Sequence, residues 1–175
     1  MKKVIVLVLA LFTGIVFYSC KKTSDPTPGP PVIKYLDFNV VKETQAYFHF
    51  SFTDPDGDIG LKNGDTTGVF AKGSIYHSDF HMRLQIFSTL INDWKDTAIF
   101  NPSPAPGKLD SLDFLYRIPF IDNQAKDKSL TGEVYVEMTG YRFTTLIKKF
   151  RYRFYIFDRA QRKSNVVTTP EFNYP

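Results

Sequence analysis

The chain has 175 residues, including 17 Phe and 10 Tyr, and a formal net charge of +4. That length suits one domain with one buried core, and a single cysteine excludes an internal disulfide framework. No Lys/Arg block is long enough to read as a nucleic-acid surface, so no nucleic-acid partner is expected. The aromatic residues fall mostly in alternating runs, which suits pleated, half-buried surfaces and predicts an all-β fold.

Lys2 and Lys3 precede an apolar run over 4–18, interrupted only by Thr13 and Gly14. The run matches the charged and apolar regions of a signal peptide and is short for a membrane span of about 20 residues. Its end, Phe17-Tyr18-Ser19-Cys20, is similar to a bacterial lipoprotein signal in the relaxed form of the Bacteroidota, with Phe17 where Leu is usual. This resemblance implies that 1–19 is a lipoprotein signal peptide and that Cys20 is lipidated and becomes the mature N-terminus. A signal peptide with a chance cysteine is the alternative. Each buried acyl CH₂ contributes about 0.8 kcal/mol to such an anchor. Residues 21–31, KKTSDPTPGPP, have no apolar side chain except proline, so 20–31 reads as the lipidated cysteine and a flexible, partly stiff tether. The expected location is the outer membrane, lipid-anchored, facing the periplasm or the cell surface.

The body, 32–175, is expected to form the domain. A first strand over 32–41 follows prolines that cannot join a central ladder. Over 45–53, Phe48, Phe50 and Phe52 alternate with Tyr47, His49 and Ser51, a period of two. An acidic turn follows, then a polar loop over 61–68. Further alternation marks strands at 80–86, 112–118, 130–139 and 150–156, with a short segment from Trp94 to Phe100 and a loop by composition over 101–107. Residues 158–163 turn the chain into a last strand over 164–172. No stretch has a helical period. About seven strands between turn signals predict an immunoglobulin-like or fibronectin-III-like antiparallel β-sandwich, with an up-and-down β-barrel as the alternative.

Four stretches, FTDPDGDIG at 52–60, YRIPF at 116–120, LTGEVYVEM at 130–138 and YIFDRAQRKSNVVTTP at 155–170, resemble a family of Bacteroidota lipoproteins. The resemblance implies a lipid-anchored β-sandwich and implies no activity. Asp158-Arg159-Ala160 ahead of Ser164-Asn165 also resembles the final hairpin of bacterial immunoglobulin-like repeats, which implies that the aspartate orders the turn.

Asp54, Asp56 and Asp58 are the strongest candidates for chemistry. Calcium takes six to eight oxygens at about 2.3–2.6 Å, and carboxylates at alternate positions of a turned loop can converge on one ion. The spacing matches the first half of a calcium-loop pattern, and Asp65 falls eleven residues after Asp54, where that pattern closes. Ile59 stands where the pattern has glycine. Asp158, ending another strand, is a further candidate ligand, because strand-end loops of sandwiches cluster at their two ends. Calcium is therefore a candidate cofactor, with Asp54, Asp56, Asp58, Asp65 and Asp158 as its candidate ligands. The competing reading is a turn in which Asp54 and Asp56 accept nearby backbone amides and Asp158 caps its own loop.

Other constellations carry less. His77 and His81 lie about 13 Å apart if on one strand, too far to share zinc. Lys148, Lys149, Arg151 and Arg153 give one strand a basic face, which is a solvated face or a surface for an anionic partner. Trp94 and the tyrosines are core residues or a sugar-stacking platform. No nucleophile elbow, His-Glu-x-x-His or phosphate loop occurs, and no catalytic residue is assigned. The sequence thus predicts a non-catalytic, lipid-anchored binding or structural module of the cell envelope with a protein or glycan partner. The alternative is a carbohydrate-binding accessory of a glycan-uptake system.

Overall fold

The computed structural model describes residues 27–42, 45–96, 113–124, 128–139 and 148–173. Signal peptide, Cys20 and most of the tether lie outside the described residues, as does the loop expected over 101–107. The last tether residues lie against the domain: Pro31 is buried, and a side chain at Gly29 would meet Pro55 at 3.7 Å.

Among the described residues nine strands follow in order: β1 Val32–Lys42, β2 Gln45–Asp54, β3 Phe80–Ser88, β4 Asp93–Asp96, β5 Asp113–Tyr116, β6 Leu130–Thr139, β7 Lys149–Ile156, β8 Val167–Thr168 and β9 Phe172–Asn173. Short 3₁₀ turns at Gly68–Phe70 and Ile75–His77 fill the link between β2 and β3. One sheet runs β1-β2-β6 and the other β4-β3-β7-β8, and every strand pairing is antiparallel. Because β7 takes one edge of β3 along its length, β5 and β4 share the other edge end to end. Likewise β8 and β9 share one edge of β7. Two separate ladders make a sandwich rather than an up-and-down barrel.

The period of two in β2 is realised as read. Phe48, Phe50 and Phe52 are buried, while Tyr47, His49, Ser51 and Thr53 face outward. They meet Phe80, Met82 and Leu84 of β3 and Phe150, Tyr152, Phe154 and Ile156 of β7. Rings interlock edge to face, as with Phe48 and Phe154 at 4.9 Å between centroids, which adds about 0.5–1.5 kcal/mol per pair beyond burial. β1 is a poorer strand than its sequence suggests. Its register slips between Tyr35 and Asp37 and again between Val40 and Lys42, and it leaves Leu36, Val40 and Val41 exposed. Such bulges are a common device for blunting a sheet edge.

The expected last strand is broken. Ser164 and Thr169 hydroxyls accept the β7 amides of Ile156 and Tyr152 at 3.0 Å each, so side chains stand in for ladder carbonyls. Pro170, with no N–H to donate, separates β8 from β9. Asn165 links this edge to β1: its side chain accepts from Ile33 N at 2.8 Å and donates to Ile33 O at 3.0 Å. A carboxamide thereby completes what a strand neighbour would supply.

Candidate functional site

The four stretches that carried the resemblance meet at one end of the sandwich. Asp54 closes β2 opposite Leu130, the first residue of β6. The chain then turns through Gly57 and Gly60, at φ of +65° and +88°. A side chain at Gly57 would lie 1.8 Å from Lys128 O, and one at Gly60 would lie 2.5 Å from Pro119 O. Both glycines are therefore required by close backbone approach as well as by conformation. Ile59 is fully buried and anchors the loop, and Leu61 N donates to Ile118 O at 2.8 Å.

The turn after β7 docks onto this loop. Arg159 N donates to Asp58 O at 3.1 Å, and Ala160 N to Asp58 Oδ2 at 3.0 Å. Asp158 orders its own turn by accepting Arg162 N at 2.7 Å, with Gln161 in the left-handed region at φ +66°. This is the role that the hairpin resemblance implied for Asp158.

The result is a convergent group. Asp54, Asp56, Asp58 and Asp158 each present a carboxylate oxygen within 4.8 Å of the others. Asp65, expected to close the calcium loop, stands outside it. Its carboxylate pairs with Arg159 and accepts Lys62 N at 2.8 Å, and these contacts hold its pKa below the ordinary range. Arg162 is the group's own counter-ion. Its Nε donates to Asp158 Oδ2 at 2.6 Å, and its Nη2 pairs with Asp56 and lies 3.5 Å from Asp58 Oδ1. The Asp56 hydrogen bond above all raises the pKa of Arg162, so it stays charged. One guanidinium among four carboxylates leaves the site strongly negative when all are ionised.

Arg162 does not reach Asp54. That carboxyl is fully buried, and neither of its oxygens has a hydrogen-bond partner. Oδ1 of Asp56 and Oδ1 of Asp58 are also buried without one. Burial, followed by the charges of Asp58, Asp56 and Asp158, pushes the Asp54 pKa up to about 7; the nearby Asp58 amide offsets part of that rise without closing a hydrogen bond. Asp58 and Asp158 are raised as well, chiefly by burial. A buried, unsatisfied carboxylate is costly, so Asp54 needs either a proton or a cation. The turn reading accounts for Asp158, whereas Asp56 is met by the Arg162 guanidinium instead of a backbone amide and Asp54 by no hydrogen bond. Four buried oxygens on three aspartates that accept no hydrogen bond suit a hard cation that takes six to eight oxygen ligands.

Arg159, Arg162 and Arg117 escaped the sequence reading. Arg117 donates to the carbonyls of Lys62 and Asp65 at 2.9 and 3.1 Å, fastening the polar loop to the YRIPF stretch. The i,i+4 spacing of Asp158 and Arg162 was the one visible signal. The histidines do not converge: His77 contacts Phe70 O, and His81 contacts Ile75 O and Ser78 O, each at 2.9 Å.

Strand order and pairing define the class: an all-β antiparallel sandwich of immunoglobulin and fibronectin-III type, with a three-stranded sheet facing a larger one. Comparison of the chain with models of protein families, with curated proteins and with solved structures returns no match.

Proposed function

We propose that the protein is a calcium-stabilised, non-catalytic β-sandwich module of the cell envelope, anchored through lipidated Cys20 and facing the periplasm or the cell surface. The observation that carries the calcium reading is Asp54, fully buried at the centre of four converging carboxylates with both oxygens unpartnered. The ion would bridge the loop after β2 and the turn after β7, two segments otherwise held together by Arg162 and the amides on Asp58. Calcium at about 100 times its Kd adds roughly 2.7 kcal/mol. For a domain of this size that is a melting shift on the order of 10 °C. The test is a thermal melt in calcium and in chelator, with Asp56→Ala abolishing the shift. Identical melts of the wild type in both buffers would sink the reading.

A second reading, a carbohydrate-binding accessory, draws on the outer face of the first sheet. There Tyr135 is 65% exposed and its ring stacks on His49 at 3.8 Å between centroids. Glu133 holds His49 at 2.9 Å. A fixed, exposed ring flanked by carboxylates is a surface on which a sugar ring can stack.

A further inference from the structure

On the outer face of the second sheet, cations gather where the register sets them against one another. Arg83 of β3 lies directly opposite Arg153 of β7. Like charges in that position are destabilising unless something shares them. Arg83 has a partner, Asp96, at 3.1 Å, and Gln85 also donates to Asp96 at 2.7 Å. Asp96 is thus already engaged on the β4 side. Arg153 is exposed and makes no close ion pair among the described residues, and its charge acts on Asp96 only alongside that of Arg83.

A third cation is held in place beside them. Lys163 Nζ sits 3.7 Å from the centroid of the Tyr155 ring, and Tyr155 stacks on His81 at 5.1 Å with the planes 14° apart. His81 is itself pinned, because its Nε2 faces the carbonyls of Ile75 and Ser78 at 2.9 Å, which makes that nitrogen the donor. Its Nδ1 then faces the Tyr155 hydroxyl at 3.5 Å. The ammonium is therefore ordered by a stack rather than waving in solvent. Around these side chains lies a concavity of about 190 Å³, lined by His81, Met82, Arg83, Arg153, Tyr155 and Lys163. It is smaller than the roughly 300–1,000 Å³ of drug-sized pockets and suits one charged group with a small ring attached.

We propose that this pocket is an oxyanion site, in which Arg83, Arg153 and Lys163 together bind the carboxylate or phosphate of a small acidic ligand. Planar guanidinium groups match the two oxygens of such a group, and the ordered ammonium supplies a point charge from the side. Tyr155 borders the space that whatever the oxyanion is attached to would enter. Two sources share the chemistry: an acidic sugar, bearing its carboxylate on a hydroxylated ring, and free inorganic phosphate.

The full chain in detergent is titrated with sodium galacturonate, galactose or sodium phosphate at constant ionic strength in chloride, following the arginine Nε–Hε resonances. Saturable binding with Kd on the order of 1 mM is expected for at least one of the two anions and not for galactose. Arg153→Gln is expected to weaken it about tenfold, as for loss of a charge-assisted contact. Lys163→Ala should weaken it severalfold, and Lys34→Ala, on the other sheet, should leave it unchanged. Tighter binding of galacturonate than of phosphate assigns an acidic sugar, and the reverse assigns phosphate. Absence of saturation by either anion, or affinities unaltered by Arg153→Gln, overturns the site.

Discussion

At the acidic end, four aspartates crowd within reach of one another, two of them buried, with a guanidinium wedged among them. On the β3–β7 face, Arg83 and Arg153 oppose each other near the surface, with Lys163 alongside. Both regions concentrate one sign of charge, but only the first is desolvated. Burial makes each unpaired carboxylate expensive, and a proton or a cation at the acidic end would offset that cost. The basic face is wet, its repulsion is screened, and its charges can wait for a ligand at little cost. The contrast separates carboxylates whose charge bears on folding from cations left open to solvent.

The largest effect is expected where the acidic end is clamped. Gly57→Ala puts a Cβ 1.8 Å from Lys128 O at φ +65°, so the loop must move. The expected loss is about 3 kcal/mol, with the calcium response lost as well. Gly64→Ala, where nothing lies within 4 Å, should stay within about 0.5 kcal/mol of wild type. Urea unfolding of both variants measures the difference. Equal stabilities would mean that the loop is not held by that approach.

Asp54→Asn comes next, with an effect whose sign depends on the buffer. In chelator it removes a carboxylate crowded by three others and should raise the melting temperature. In calcium it removes ligand oxygens and should lower it, by several degrees either way. A shift of the same sign in both buffers would mean that Asp54 contributes nothing to ion binding.

Asp79 provides a pH test at a buried carboxyl that is not one of the four converging aspartates. Its Oδ1 accepts Ile118 N at 2.7 Å and its Oδ2 is unpartnered. Burial drives its pKa from 3.8 to about 7 against the opposing pull of that amide. Between those values the folded protein holds a proton that the unfolded chain has released. Stability from this group is therefore greatest at low pH, declines as pH rises from 3.8 to about 7, and is level above. Asp79→Asn should remove that decline, on the order of 2 kcal/mol between pH 5 and 8. Chemical denaturation of both proteins across that range is the measurement, and parallel profiles would refute it.

The smallest effect belongs to the basic face. Without an anion, Arg153→Gln relieves an opposed pair and should stabilise by about 0.5 kcal/mol in low salt, fading as salt is added. Destabilisation instead would show that Arg153 supports the sheet.

Much of this was legible along the chain. Phe48, Phe50 and Phe52 announce their buried face because side-chain direction in a strand is a local matter of period two. The turn with Gly57 and Gly60 is visible because only glycine adopts those angles readily. β1 and the last strand were read too simply. Bulges at Leu36 and the hydroxyl substitutions by Ser164 and Thr169 answer to their neighbours rather than to their own periodicity. Asp54, Asp56 and Asp58 could be named as a group from spacing alone, and Asp158 from its place at a strand end.

The sequence by itself determined an all-β chain, its turns, its apolar faces and a cluster of acids looking for a partner. Tertiary structure alone decided which acids meet. Arg162 reaches Asp56 across 106 residues, and Arg159 takes Asp65 across 94, because antiparallel register brings the two loops to the same end. The same register sets Arg83 against Arg153 and lays Lys163 over Tyr155. Spacing in a chain controls only what lies within a few residues, whereas charge responds to distance in space, and strand pairing sets that distance.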